Sequence, residues 1–392
     1  MPAALADLRL DPEQPGLFNR PDYFDLLARL RRDAPVHRYA SGAWVVSRYD
    51  DVRTVSRDPA RFCSGRGVLM NDPVRRGAEL PGSVLHMDPP EHRTWRKLVS
   101  RWLTPRAVAE LEDRVRAVAA EVLDEAPAGE PVDLVDSVAA PMPVLVVAEL
   151  LGIGDGDRRD LRRWSDACID GADEADADLA AVGELLAFLG GHVAARRAAP
   201  GDDLLSALVI SEVDGRPLTD DEVVMYCMSL LVAGNETTRH LISGSALALA
   251  QHPDQRAGLA ADPATLPAAV EECLRWVTPI QAFGRTATTD TELGGASLDA
   301  GDWVVLLYAS ANRDEAVFGA DAGRFDVARA GANVAFGFGE HVCLGAHLAR
   351  LEGRLFLEQL LARYPRYEVA GEPTWVSSTL VRGCAELPVV LA

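Results

Sequence analysis

Residues 221–252, DEVVMYCMSLLVAGNETTRHLISGSALALAQH, constrain this chain more than any other segment. Apolar residues recur at spacings of three and four and cover almost the whole circumference of the helix they predict. Such a helix belongs inside a molecule and not on its surface. Its most apolar part, Val223 to Gly234, is too short to span a bilayer, and Asn235, Glu236 and Arg239 follow at once. The segment therefore demands a large soluble core around it. Within it, Ala233 to Thr238 (AGNETT) brings an amide, a carboxylate and two hydroxyls into apolar surroundings. Burying them is costly unless they are paired or functional, so this turn is a candidate site.

A chain of 392 residues with 48% hydrophobic residues is long enough to supply that core. From Asp88 to about residue 262 the pattern is overwhelmingly helical. Asp88-Pro89-Pro90-Glu91 predicts a sharp helix start with Asp88 as its cap, and Thr104-Pro105 ends that helix and starts another. Further helices are predicted at about 265–277 and from Leu348 to Arg363. Strands are expected in GAWVVSRYDDV, leading into a turn at Tyr49–Asp51, and between Arg285 and Leu307, where Gly294-Gly295 and Ala300-Gly301 mark turns. Residues 64–85, rich in Gly, Pro and Arg, read as a surface loop of the kind that forms a lid. The fold class is mainly α with minor β. No linker divides the chain, so residues 1–392 are expected to form a single large α-rich domain with a small β-sheet region.

Composition removes several function classes. The net charge of −20 is wrong for a nucleic-acid partner, which requires a basic footprint. The N-terminus has no basic head followed by an apolar run, so neither a secretory signal nor a membrane anchor is expected. The six cysteines (63, 168, 227, 273, 343 and 384) show no paired spacing, which argues against a disulfide framework and a zinc cluster and fits a reducing cytoplasm. Arg93, Lys97, Arg101 and Arg106 form a local basic exception, either a docking surface for an acidic partner or a solvated helix face.

One cysteine stands in a distinctive setting. In FGFGEHVCLGAHLAR, Phe336 to Arg350, Cys343 lies between a glycine-rich loop and a predicted helix, where backbone N–H groups favour a thiolate. Gly337, Gly339 and Gly345 let the backbone turn around the sulfur and approach a flat ligand. A cysteine in isolation near a turn reads equally as a structural one. Phe336, Gly339, Cys343 and Gly345, however, fit F-x-x-G-x-x-x-C-x-G, and here the chain resembles the cytochrome P450 superfamily. The resemblance extends over essentially the whole chain. Glu272 and Arg275 match the family's E-x-x-R pair, with Arg324 as the arginine expected to join them. AGNETT matches the oxygen-side turn, and DPPEHRTWR, with His92 and Arg96 at i and i+4, resembles the propionate-binding segment.

The resemblance implies a cytochrome P450 fold and a haem b (iron protoporphyrin IX) whose iron is ligated by Cys343. The cofactor would be held by His92, Arg96, Arg285 and His341 on its propionates and by Phe336, Gly337, Gly345, Ala233 and Gly234 around it. Glu236 and Thr237 are implied as the acid–alcohol pair that delivers protons to oxygen; for Thr237 a hydroxyl bonded back to its own helix is the alternative. Substrate contacts are implied at Val232, Ala233, Ile280, Gln281, Ala282, Phe283, Thr379 and Leu380, with 64–85 as the access loop and 1–20 as an N-terminal arm. These are mainly apolar positions. They suggest a hydrophobic substrate of steroid, lipid or polyketide-like type, oxidised by a cytoplasmic monomer with O2 and with electrons from a ferredoxin and an NAD(P)H-dependent ferredoxin reductase. A peroxide-driven haem-thiolate peroxygenase and a non-catalytic haem sensor or carrier are the competing functions.

Overall fold

The computed structural model describes residues 14–392 except 40, 81, 155–159, 162, 165–178 and 330. Most of the N-terminal arm, and Cys168, lie outside the described residues.

The long apolar stretch forms one helix, Asp220–Gln251, and it does run through the interior. Thr219 begins it with a reciprocal capping box: its hydroxyl accepts from the Glu222 N–H while the Glu222 carboxylate accepts from the Thr219 N–H. Helices Pro141–Leu151, Leu179–Ala198, Leu266–Val277 and Ala346–Arg363 surround it. Together with Glu112–Glu125 they make the main apolar core, which includes Val115, Leu151, Leu241 and Phe356. Gly234 is explained by this packing. A Cβ there would come within 2.8 Å of Val147, so the missing side chain admits a neighbouring helix.

The β portion is assembled from distant segments. Strands Val36–Arg38, Trp44–Val46, Trp303–Leu307, Ala282–Ala287 and Phe62–Cys63 lie side by side in that order. All neighbours are antiparallel except Trp303–Leu307 against Trp44–Val46, where Val304 pairs with Trp44 and Leu306 with Val46. Two smaller cores cover its two faces, one around Phe18, Leu27 and Trp303, the other around Val46, Phe62 and Tyr308.

Three local expectations are corrected. Tyr49–Arg57 is a helix and not a turn, because Tyr49, Val52 and Val55 share a buried face. Asp88 does not cap the helix Glu91–Ser100; its carboxylate accepts from the Ser64 and Gly65 N–H groups at 2.8 and 2.9 Å and ties down the start of the access loop. That loop is not simply a surface segment. Asp72, 1% exposed, accepts from the N–H groups of Val68, Leu69 and Val74 and pairs with His86 at 2.9 Å, while Ser83 Oγ meets the other His86 nitrogen at 2.8 Å.

Candidate active site

The segment before Cys343 is held by a buried charge network. Arg275 pairs with Glu272 through two parallel contacts of 2.6 and 2.7 Å, and its other N–H groups donate to the carbonyls of Asn312, Ala322 and Arg324. Both residues are 2% exposed. The second arginine on Glu272 is Arg329, at 3.5 Å, and not Arg324, whose contribution is its backbone carbonyl. The chain turns between the two, which brings residue 329 back under the Asp326 N–H that also donates to Glu272. Asn312 passes the order onward. Its amide oxygen accepts from the Val334 N–H at 2.7 Å, two residues before Phe336.

The loop itself follows from its glycines. Gly337 and Gly339 have φ of 68° and 73°, conformations that disfavour side chains. A Cβ on Gly339 would lie 2.2 Å from the Ser56 carbonyl oxygen, so the loop lies directly on the helix Tyr49–Arg57. Arg53 and Arg57 of that helix stack on Phe338 at 4.4 and 4.5 Å. Gly345 differs. Its φ is −83° and a Cβ would meet no protein atom within 4 Å, so its place in the signature is not explained by the backbone turn.

Cys343 ends this loop, its N–H donating to the Phe336 carbonyl at 2.8 Å. Of the five described cysteines, all of them free, Cys343 alone is exposed. Nevertheless burial pushes its thiol up, opposed by the Gly345 N–H and by Arg96 and Arg350. Accessible surface combined with strong desolvation is the signature of a sulfur facing an interior cleft. The backbone N–H effect expected at this junction is present but smaller than desolvation. A metal cation at the sulfur would reverse the balance and favour thiolate.

Four cationic or imidazole groups converge beside the sulfur. His92, 1% exposed, has no hydrogen-bond partner on either ring nitrogen among the described residues and lies against His341 with ring centroids 4.1 Å apart. His341 meets Ser64 Oγ at 3.1 Å and is pushed down to about 3, first by burial and then by the positive fields of Arg285, His92 and Arg96. Burial also lowers His92 and Arg96, and the field of Arg96 adds to the shift of His92. The acids that act on His92, Asp88 and Glu340, are engaged with the Ser64 and Gly65 amides and with Arg93. Arg285 is buried with one donor on the Gly284 carbonyl. A buried cluster of this sign suits an anion.

Arg96 also feels Tyr226 of the central helix, so the cluster lies between that helix and the cysteine loop. The central helix there carries a stripe of accessible positions: Met225, Ser229, Val232, Ala233, Glu236 and Thr237, with Ser229 and Ala233 exposed. Their spacing places them on one face of the helix. An accessible stripe on an otherwise interior helix lines a cleft. Met225 and Ser229 were not anticipated, although they continue the stripe backward at four-residue steps. Thr237 Oγ1 donates to the Ala233 carbonyl at 2.8 Å, the back-bonded alternative. Glu236 has 13% of its side chain exposed, with Oε1 3.8 Å from His240 Nε2.

The remaining substrate positions divide. Ile280, Phe283 and Leu380 are partly accessible, and Thr379 is 3% exposed. Gln281 and Ala282 are fully buried and offer no accessible surface to a substrate: the Gln281 amide donates to the Thr278 carbonyl, and Ala282 packs in the core around Phe18 while its strand neighbour Phe283 faces Tyr308. Val381 holds the C-terminal segment here through a bridge to Ile280.

A mainly α fold, a cysteine facing an interior cleft and an accessible turn of the central helix define the class, and comparison with known proteins agrees. The Cytochrome P450 family model matches residues 264–373. The erythromycin C-12 hydroxylase of Saccharopolyspora erythraea is 41% identical over 393 residues, covering 96% of each chain. The methyl-branched lipid omega-hydroxylase of Mycobacterium tuberculosis is 37% identical over 384 residues, covering 92% of this chain and 89% of that one. A solved structure of a mutant of P450 EryK in complex with erythromycin B superposes with a TM-score of 0.85 at 40% identity, over 94% of this chain and 95% of that one. This chain belongs to the cytochrome P450 superfamily and is a monooxygenase whose cofactor is haem.

The residues present fit that cofactor on three counts. The unpartnered nitrogens of His92 and the surplus positive charge around it suit two propionates. The exposed sulfur suits an axial ligand. The glycine-shaped loop lets backbone lie close beneath a flat ring.

Proposed function

We propose that this P450 hydroxylates a hydrophobic organic molecule, with Cys343 as the axial thiolate and Glu236 and Thr237 as the groups that deliver protons. One observation carries the reading: a desolvated but accessible cysteine and the accessible Ala233–Thr237 turn of the central helix border the same interior region, joined by Arg96. His92, Arg96, Arg285 and His341 would hold the propionates, and Phe336, Gly337 and Gly339 would shape the loop beneath the ring. Bound there, haem supplies the redox chemistry that places one atom of O2 into a C–H bond. The chain's own residues orient substrate, exclude water and hold protons. Thr237 Oγ can exchange its bond to the Ala233 carbonyl for one to oxygen, and Glu236 one residue earlier can resupply its proton.

Val232, Ala233, Ile280, Phe283 and Leu380, with the Asp72-anchored loop, offer an apolar lining. The named relatives act on a macrolide and on methyl-branched lipids, which supports a bulky apolar substrate of polyketide or lipid type. Electrons are proposed to come from a ferredoxin and an NAD(P)H-dependent reductase. The helix Glu91–Ser100 supports this: it turns His92 and Arg96 inward while Arg93 and Lys97, followed by Arg101, are exposed. Such an outward basic face suits an acidic donor, and donor affinity on it should fall steeply with salt. The protein is proposed to work in the cytoplasm as a monomer on freely diffusing partners. Among the described residues no helix is long and apolar enough to cross a membrane.

The test is a screen of hydrophobic compounds for a low-to-high-spin shift, followed by turnover of each hit with ferredoxin, reductase and NAD(P)H or with hydrogen peroxide alone. The reading requires hydroxylated product with the donor chain. Product with peroxide only would mark a peroxygenase, and ligand binding with no product under either condition a sensor or carrier.

A further inference from the structure

His240 lies one turn after Glu236 on the central helix, is wholly buried, and among the described residues has no hydrogen-bond partner on either ring nitrogen. A buried imidazole in that condition is costly, and such groups require an explanation. The ring packs closely against the backbone at Gly383, where a Cβ would fall 1.9 Å from Nδ1 and 2.2 Å from Cγ. That backbone is itself pinned, the Gly383 carbonyl accepting from the Val376 N–H at 3.0 Å and the neighbouring Arg382 N–H donating to the Pro279 carbonyl at 2.9 Å. Nδ1 therefore faces backbone, and Nε2 faces Glu236 at 3.8 Å, within reach of its charge but beyond a hydrogen bond. Glu236 is the member of the pair with freedom: its carboxylate has no hydrogen bond among the described residues and is partly accessible on the cleft-facing stripe.

We infer that His240 is a positioning residue for Glu236. When the Glu236 carboxylate turns inward, His240 Nε2–H donates to it and holds it; when it turns outward, it faces the Thr237 hydroxyl and the cleft. The fixed imidazole thereby sets how often the acid is presented for proton delivery, and Gly383 is needed to fix the imidazole. This inference rests on the proposed role of Glu236.

The experiment measures product formed and peroxide released per NAD(P)H in the reconstituted holoenzyme for His240→Phe, His240→Gln, Gly383→Ala, Glu236→Gln and the double variant Glu236→Gln/His240→Phe. Expected are a several-fold loss of product per NAD(P)H in His240→Phe at unchanged substrate affinity by spin shift, substantial recovery in His240→Gln, which retains a donor, and no added loss when His240→Phe is placed on Glu236→Gln. Full coupling in His240→Phe, or a loss of equal size with and without Glu236, overturns the inference. If His240→Phe does not fold, Gly383→Ala, which displaces the ring, is read in the same way with and without Glu236→Gln. Wild-type coupling in Glu236→Gln itself would instead reject the role of Glu236; impaired Glu236→Gln beside normal His240→Phe rejects only the inference.

Discussion

The two sides of the cleft are built to opposite standards. On the cysteine side nearly every polar group is committed: Glu272 to Arg275, Arg329 and the Asp326 amide, Asn312 to Val334, Cys343 N–H to Phe336, with Gly339 seated on Ser56. On the central-helix side, among the described residues, Thr237 bonds only to its own helix, Glu236 has a charge partner at 3.8 Å, and His240 has no side-chain hydrogen bond. Rigid support suits a metal ligand whose position must not vary. Uncommitted donors and acceptors suit groups that must exchange partners during a reaction. The difference predicts that damage to the first side removes the folded, cofactor-loaded protein, while damage to the second leaves it loaded but inefficient.

Glu272→Ala is the severest way to break the comparison. It strands the Arg275 guanidinium in the core, at a cost of about 3–5 kcal/mol, and should abolish or sharply reduce haem-loaded protein as measured by haem content and thermal unfolding. Gly339→Ala comes next. It adds a backbone collision to a φ of 73°, for a loss of at least about 2 kcal/mol and reduced haem retention; a normally stable, fully loaded variant would refute the close docking. Thr237→Ala should leave haem content and stability near wild type while product formation falls by up to about 10²-fold and peroxide release rises. Unchanged coupling would remove Thr237 from proton delivery. The smallest contrast separates two arginines: Arg329→Ala should cost about 2 kcal/mol through Glu272, whereas Arg324→Ala, which keeps the backbone carbonyl that Arg275 uses, should stay within about 0.5 kcal/mol.

The same division governs what the sequence disclosed. The central helix, the helix Leu266–Val277 and the Glu272–Arg275 pair were legible because each depends on periodicity or on residues a turn apart. Tyr49–Arg57 was missed because three apolar residues on one face of a nine-residue helix give little periodicity to read. Choosing Arg329 over Arg324 depends on how a turn folds back, and Asp88 capping residues 64 and 65 depends on a contact across the access loop. Neither is local. Gly234 illustrates the same limit: its missing side chain seats Val147 of a neighbouring helix, a contact that no local pattern discloses. Met225 and Ser229 were available from helix periodicity, since they lie eleven or twelve and seven or eight residues before Glu236 and Thr237 on the same face.

Everything on both sides is organised around the sulfur of Cys343, so its ligation is the claim to measure first. The carbon monoxide difference spectrum of the reduced holoenzyme reads the axial ligand directly. The account predicts the long-wavelength Soret band of a thiolate-ligated haem in the wild-type protein and its loss in Cys343→Ala. A wild-type band at the position of an imidazole-ligated haem, or a thiolate band that survives Cys343→Ala, would contradict it.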